Sequence, residues 1–320
     1  MSDPEAGAVT GERAAPGRPP AVSVVIPCYD RPDFLERAVR SALAQTLDDL
    51  EVLVIDDGSA KDLKAILDRL GDPRVRYFRS PAREGAPRAR NRGIRLARGE
   101  WVAFLDDDDE WLPRRLELQL ARMRETGATV GYCLVLENKE TEDRTRLPTD
   151  ALHEGVDEVL EQLLSGNKTQ TSTYMIRRDV LEEVGGFDEA MPSAHDADLL
   201  FRLALRGYAF AAVNEVLVHW YEHGREQLTH DPERKLRGFR ALVRRWGRIY
   251  RDRLGSLAFL RWKLKRYRQL DWIYERGIAL DRSGGRAARA ARRRLRLWLL
   301  RLETIPTRVE IFVRKRLGGR

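Results

Sequence analysis

Four consecutive carboxylates, Asp106-Asp107-Asp108-Asp109, follow directly on the apolar stretch Trp101-Val102-Ala103-Phe104-Leu105 and are closed off by Glu110-Trp111. Adjacent carboxylates repel one another, and burial adds to the cost unless a cation compensates. A divalent metal holding a phosphate-bearing substrate would supply that cation. Oxygen donors suit Mg²⁺ or Mn²⁺, with a diphosphate completing the shell. A solvated acidic loop accounts for the same residue types. Position favours the metal, because an apolar, strand-like run opens straight into the acids. Open α/β sheets place their ligands at such strand ends.

The elements that must position this run can be read from hydrophobic patterning. Val22-Ser23-Val24-Val25-Ile26-Pro27 is a β-branched run stopped by proline, the mark of a buried strand. Arg31 to Gln45 spaces Phe34, Leu35, Ala38, Val39 and Ala42 as one face of a helix. A second buried strand, Glu51 to Ile55, runs into Asp56-Asp57-Gly58-Ser59; a helix from Lys61 to Leu70 and a strand from Val75 to Phe78 follow. Pro87 to Ala97 reads as a helix and Trp101 to Leu105 as the next strand. Alternating strands and helices with short links predict a parallel sheet flanked by helices. Each strand ends in a polar cluster, so the carboxyl ends form one chemically rich edge.

Beyond the acids, Leu112 to Glu125 reads as a helix with Pro113 in its first turn, and Thr129 to Glu137 as a strand. Asn138 to Pro148 is charged and turn-like. A helix over Val156 to Leu164, a strand over Thr171 to Ile176 and a helix over Asp179 to Val184 stopped by Gly185-Gly186 come next. Asp196 to Arg206 reads as an amphipathic helix and Ala209 to Val218 as a further strand. No internal repeat is visible.

The 320-residue chain carries 42% apolar and 34% charged residues, enough for one large domain or two smaller ones. Its two cysteines, Cys28 and Cys133, argue against a disulfide framework or a cysteine metal site and fit a reducing cytosol. Met1 to about Pro20 is rich in Gly, Ala and Pro, lacks a signal-peptide core and reads as a disordered leader. No run of about 18 apolar residues predicts a spanning helix. The net charge of +8 hides an asymmetry: Arg234 to Arg320 holds 28 Lys and Arg against 6 Asp and Glu, while residues 1–233 are net acidic. Asp231-Pro232 is the clearest break in composition.

Taken together, Val22 to Asp30, Val54-Ile55-Asp56-Asp57-Gly58-Ser59, Ala89-Arg90-Asn91-Arg92-Gly93-Ile94 and Phe104 to Asp109 resemble the family 2 glycosyltransferases. Gly185-Gly186-Phe187-Asp188-Glu189 and His195-Asp196-Ala197-Asp198-Leu199 continue the pattern in order, so the resemblance covers roughly Val22 to Thr229. It implies a GT-A fold: an α/β, Rossmann-like mixed sheet flanked by helices. Here a basic helical extension would be added at the C-terminus. The implied organisation is a leader over 1–20, a catalytic domain over 21–232 and a tail over 233–320. Within the domain, about 21–125 would bind nucleotide and 126–232 the acceptor. Members transfer a sugar from a nucleotide-diphosphate donor, with a UDP-sugar expected here, to a hydroxyl with inversion.

The resemblance assigns roles residue by residue. It sets the nucleoside against Pro27, Tyr29 and Asp57, with Asp56 close by; a helix-capped turn is the plainer account of Asp56 to Ser59. Asp106 and Asp108 match the Asp-x-Asp pattern, with Asp108 as the direct metal ligand, although Asp107 and Asp109 form an overlapping match. Asp107 is placed with the donor, and both Asp107 and Asp109 are expected behind the pair or in solvent. Arg90 would reach the phosphates or solvate a helix. Inverting transfer needs a base for the acceptor proton, and Asp196 falls at that position. His195 stands where many members carry an acid, and Asp198 is expected to cap or face the helix. His223, rather than His219, fits the register of a residue that meets the metal or diphosphate; a loop histidine packed or exposed is the plainer account.

In the tail, Leu242, Trp246, Ile249 and Tyr250, then Leu260, Leu264 and Tyr267, then Leu295, Trp298, Leu299 and Leu302 recur at helical spacing, interleaved with arginine. Basic helices with Trp and Leu on one face suit an anionic membrane surface, which would seat the enzyme on the inner face of the plasma membrane beside a lipid-linked or glycan acceptor. Packing on the acidic half, also across a homodimer, uses the same features, and nucleic acid is the weaker rival. Manganese-dependent work in polysaccharide and cell-envelope biosynthesis is the expected setting. A nucleotidyltransferase would want a Gly-rich basic loop after the first strand, which Pro27-Cys28-Tyr29-Asp30 is not. A catalytically degenerate member acting as a scaffold is the non-enzymatic alternative.

Overall fold

The computed structural model describes residues 18–139, 142–146, 153–165, 170–222, 231–283 and 287–316. Seven successive buried residues, Val22–Cys28, form strand β1, and Leu50–Asp56 form β2 in the same way. Burial on both faces is what a central parallel strand requires. Between them lies helix α1 (Pro32–Leu43), with Leu35, Ala38, Val39 and Ala42 turned inward. Helix α2 (Lys64–Leu70), β3 (Val75–Arg79), α3 (Ala86–Leu96) and β4 (Trp101–Phe104) follow. Gly93 lets α3 cross β1 closely, since a Cβ there would come within 2.3 Å of Val25 Cγ1.

The remaining elements are β5 (Glu110–Trp111), α4 (Arg115–Thr126), β6 (Val130–Lys139), β7 (Glu142–Arg146) and α5 (Val156–Ser165). They continue as β8 (Met175–Arg177), α6 (Arg178–Val184), α7 (His195–Leu205) and β9 (Phe210–Glu222). The helices α8 (Pro232–Leu254), α9 (Ser256–Ser283) and α10 (Ala287–Arg316) end the series. The strands form one mixed sheet in the order β3-β2-β1-β4-β8-β6-β9-β5, with β7 paired to β6. β3, β2, β1 and β4 are parallel, and β8 enters antiparallel to β4.

Three local expectations change. The strand expected over Thr171 to Ile176 is split into a 3₁₀ turn at Thr171–Thr173 and a short β8. The hydroxyl of Thr173 bonds Gln170 O at 2.7 Å and the Tyr174 N–H bonds Thr171 O at 3.0 Å, a local pairing that competes with a ladder. Within the charged stretch read as turn-like, Glu142–Arg146 pairs with β6; charged composition is normal for a strand with one neighbour. Glu110-Trp111 joins β9, so α4 begins only at Arg115 and Pro113 precedes it.

By contact density the chain forms two compact units: Met1–Leu163, Lys168–Glu189 and Leu199–His223 in the first, and Leu164–Asn167, Ala190–Asp198 and Gly224–Arg320 in the second. The first holds the sheet and its core. In the second, Asp231 caps α8 by accepting from the Glu233 and Arg234 amides, with Pro232 in the first turn. Its packing is aromatic: the Trp262 ring lies 4.2 Å from Tyr250 and 5.9 Å from Phe259, and Phe239 meets Tyr267 at 5.3 Å. Leu242, Tyr250, Leu260 and Tyr267 are therefore interior residues. Asp198, fully buried, accepts from Arg245 Nη1 and Trp246 Nε1 at 2.9 Å each, tying the start of α7 to α8. Among the described residues no helix is long and apolar enough to cross a membrane.

Candidate active site at the carboxyl ends of β1, β2 and β4

β1 lies between β2 and β4, so the chain leaves β1 to one side and returns on the other. That reversal opens a crevice beyond the strand ends, the usual ligand position in open α/β sheets. Tyr29-Asp30-Arg31 leave β1 here, Asp57 leaves β2, and the acidic run leaves β4. Asp30 sits at φ 53°, a left-handed conformation that short polar side chains tolerate. Its amide donates to Ser59 Oγ at 2.9 Å, and its carboxylate accepts from the Ala60 and Lys61 amides at 2.7 and 3.0 Å. This geometry aims Arg31 back at the acids.

The four aspartates alternate. The Asp106 and Asp108 side chains keep 29% and 12% of their surface, whereas Asp107 and Asp109 are 1% exposed. Asp107 and Asp109 are thus interior groups rather than solvent-facing ones. Their counter-charge comes from the protein. Arg31 bridges Asp107, at 2.6 Å, and Asp108, while Arg90 pairs with Asp106. Arg37 Nη2 donates to the Asp108 carbonyl at 2.6 Å. Burial pushes the Asp107 carboxyl up to about 8, with Asp108 and Asp106 adding to the effect against the attraction of Arg31. Burial likewise raises Asp109, helped by Asp108 and Asp106. For Arg31, burial works against the cation, but Asp107 and Asp108 outweigh it and hold its pKa above the usual value.

Ser172 anchors the run from below, donating its hydroxyl to Asp109 and accepting the Asp106 amide at 3.0 Å. The Trp111 indole N–H donates to Ser172 O at 2.9 Å. Beneath it lies Arg115, with no exposed surface, stacked 3.8 Å from the Trp111 ring and donating to Tyr174 O at 3.0 Å. Burial lowers the Arg115 pKa to about 10.

The expected nucleoside residues have partners within the chain. Pro27 is buried in β1. Arg83 stacks on the Tyr29 ring at 4.1 Å. Asp57 accepts the Glu84 and Gly85 amides at 2.7 and 2.8 Å, shaping the loop before α3. Asp56, with no exposed surface, accepts from Tyr77 and from the Ser59 amide at 2.8 Å. Asn91 joins two of the sequence motifs. Its amide accepts from Phe187 N at 2.8 Å and donates to Phe187 O and Glu189 Oε1, both at 2.9 Å. Gly186 permits this, at φ 62°, because a Cβ would lie 2.4 Å from Asn91 Oδ1.

Asp196 belongs to the second unit, in the first turn of α7, which follows Ala194 at φ 58°. Its charge acts on Arg266, whose pKa burial lowers and whose neighbours Tyr250 and Asp196 oppose that effect. His195 is buried beside it. His223 lies outside the described residues. His219 is on β9 opposite Glu110.

Sequence reasoning missed Arg31, Arg37, Ser172 and Arg115 as parts of this site. For Arg31 the only signal was its place directly after a strand-end cluster. For Ser172 it was three hydroxyl residues in a row just before the apolar Tyr174-Met175-Ile176. The outward pair Asp106 and Asp108 fits a Mg²⁺- or Mn²⁺-type site, which needs one or two carboxylates and leaves other positions to water and phosphate. The buried Asp109 Oδ1 carries no hydrogen bond. Among the described residues no group of three or more His, Cys, Asp or Glu is disposed to hold a metal unaided.

Comparison with known proteins matches residues 23–185 to the pattern described as glycosyl transferase family 2. The chain is 27% identical over 232 residues, 67% of its length and 77% of the relative's, to the putative colanic acid biosynthesis glycosyl transferase WcaA of Escherichia coli (strain K12). It is 38% identical over 120 residues to the GalNAc(5)-diNAcBac-PP-undecaprenol beta-1,3-glucosyltransferase of Campylobacter jejuni subsp. jejuni serotype O:2, covering 36% of this chain and 39% of that one. The structure of S. aureus TarS 1-349 in complex with UDP-GlcNAc is similar at a TM-score of 0.59 and 15% identity, covering 93% of this chain and 92% of that chain. At that identity the likeness is one of fold, and the fold is the GT-A type expected from the motifs.

Proposed function

Because the chain belongs to glycosyl transferase family 2 and is a glycosyltransferase, we propose that it moves a sugar from a nucleotide-diphosphate donor, a UDP-sugar, to a hydroxyl of a glycan or lipid-linked acceptor with inversion. One observation carries the reading: Asp106 and Asp108, the two less buried carboxylates of the run, lie at the β1/β4 switch point with Arg90 and Arg31 against them. Such a constellation suits a diphosphate and its cation. The UDP-GlcNAc named with TarS and the polysaccharide and lipid-linked chemistry named with the relatives favour the same donor and acceptor classes. Cell-envelope polysaccharide biosynthesis on the cytoplasmic side is the setting we infer.

In this reading Tyr29 and Asp57 receive the nucleoside along β1 and β2, with Pro27 and Asp56 behind them. Asp106 and Asp108 would hold Mg²⁺ or Mn²⁺, with His223 as a further ligand, and a bound ion would supply Lewis acidity toward the diphosphate. Arg90, with Asp107 behind the pair, orients the phosphates. Asp196 accepts the acceptor hydroxyl proton as that oxygen bonds the anomeric carbon from the face opposite the diphosphate, and the bond to the phosphate oxygen breaks. The test is turnover of a nucleotide-sugar panel with Mn²⁺ by the full chain. Release of UDP that falls at least a hundredfold in both Asp108→Asn and Asp196→Asn is the expected result. No turnover with any donor, or an Asp196→Asn enzyme as fast as wild type, overturns it.

A further inference from the structure

Folding divides the apolar residues of the tail into two sets. Among the described residues many are consumed in packing, but Leu295, Trp298 and Ile305 on α10 remain 59%, 57% and 49% exposed, and Trp272 on α9 is 56% exposed. The packed face of α10 is drawn by Ala290, Leu297, Leu300, Thr304 and Thr307, all buried. At about 100° per residue the exposed three form a single stripe roughly 140° around the helix from that face. Exposed Arg292 borders the stripe on one side and exposed Arg294 on the other. On α9, Arg261, Lys265, Arg268 and Trp272 recur at i, i+4, i+7 and i+11, so Trp272 shares an exposed face with three cations.

We propose that the outer stripe of α10, with the Trp272 face of α9, seats the protein on an anionic lipid bilayer, Leu295, Trp298 and Ile305 entering the headgroup boundary. Two features select the bilayer over a second copy of the chain. Self-pairing of the stripe would bring its bordering arginines against one another, whereas anionic headgroups neutralise them. Tryptophan with a basic border is also the composition that settles at a membrane interface rather than in a dry helix seam. Helices with this division of labour lie along the surface, with one face packed on protein and the opposite one in lipid. This inference is independent of the proposed chemistry at the strand ends.

Co-sedimentation of the full-length protein tests it, using phosphatidylcholine vesicles with and without about 30 mol% phosphatidylglycerol at low and high salt. The wild type is expected to pellet with the anionic vesicles alone, to be released by salt, and to show Trp fluorescence quenched by bromine-labelled acyl chains. Trp298→Glu with Ile305→Glu should lower the bound fraction about tenfold, with the thermal melt unchanged because both sites are exposed. Trp298→Phe should retain binding. Failure to pellet with anionic vesicles overturns the proposal, as does a double variant that binds as well as wild type. So does a dimer in sedimentation velocity that the same double variant splits. Donor hydrolysis in vesicle-free solution, followed in parallel, separates failure here from failure of the catalytic reading.

Discussion

The guanidinium of Arg31 spans Asp107 and Asp108, meeting the Asp107 carboxylate at 2.6 Å while the Asp107 side chain is 1% exposed. The cation that the acidic run demands is therefore supplied in part by the chain itself. Removing it should be felt twice. Arg31→Gln is expected to cost about 2 kcal/mol, because Asp107 and Asp108 both lose the guanidinium that bridges them. Mn²⁺ should raise the melting temperature of that variant more than that of wild type. Urea unfolding and melting curves with and without Mn²⁺ measure both, and an unchanged stability contradicts the prediction.

Asn91 makes three hydrogen bonds to the segment beginning at Gly186. Asn91→Ala should cost about 2–3 kcal/mol, near 1 kcal/mol for each bond lost in a buried site. Gly186→Ala should be comparably damaging, because its φ is positive and its Cβ would strike Asn91. Urea midpoints for the two variants and their double are the measurement, and the double should be less than additive because both act on one contact.

Glu51 provides the acid limit of stability. Burial alone would raise its pKa, but hydrogen bonds from Ser23, Arg76 and the Arg98 amide, with the Arg98 charge, hold it below the usual carboxylate range. A depressed carboxyl contributes stability above its unfolded pKa and loses it as pH falls through the folded value. Glu51→Gln should therefore be about 2 kcal/mol less stable than wild type at pH 7, with the gap closing below about pH 4. Urea titrations at several pH values read this directly, and a gap that widens in acid would contradict it.

Asp198 and Asp196 are two residues apart yet should respond differently. Asp198 is buried against Arg245 and Trp246, so Asp198→Ala is expected to destabilise the fold by about 3 kcal/mol. Asp196→Asn should leave the urea midpoint within about 0.5 kcal/mol while donor turnover falls at least a hundredfold. Equal effects of the two substitutions on stability would remove the distinction.

Sequence patterning reaches far in this chain because its strands are buried on both faces and its helices are amphipathic. Continuous apolar runs at Val22 and Glu51 and the 3.6-residue spacing after Arg31 leave few alternatives, and β1, β2 and α1 form as those runs require. It fails where local pairing competes with a ladder. The Thr173 hydroxyl and the Thr171 carbonyl bond within their own turn, and β5 exists only because β9 arrives beside Glu110 and Trp111.

For the acidic run, residue type together with its place after a strand pointed to a cation, and the order of the motifs pointed to the family. Which acids face outward was decided by the fold. At the end of β4 the chain turns so that Ser172 draws Asp109 inward and Arg31, placed by the left-handed Asp30, closes over Asp107 and Asp108. Those contacts join residues far apart in the chain, and a one-dimensional pattern carries no trace of them. The tail shows the same division: spacing gave its helices, but only packing separated Leu300 and Tyr250 inside from Trp298 outside.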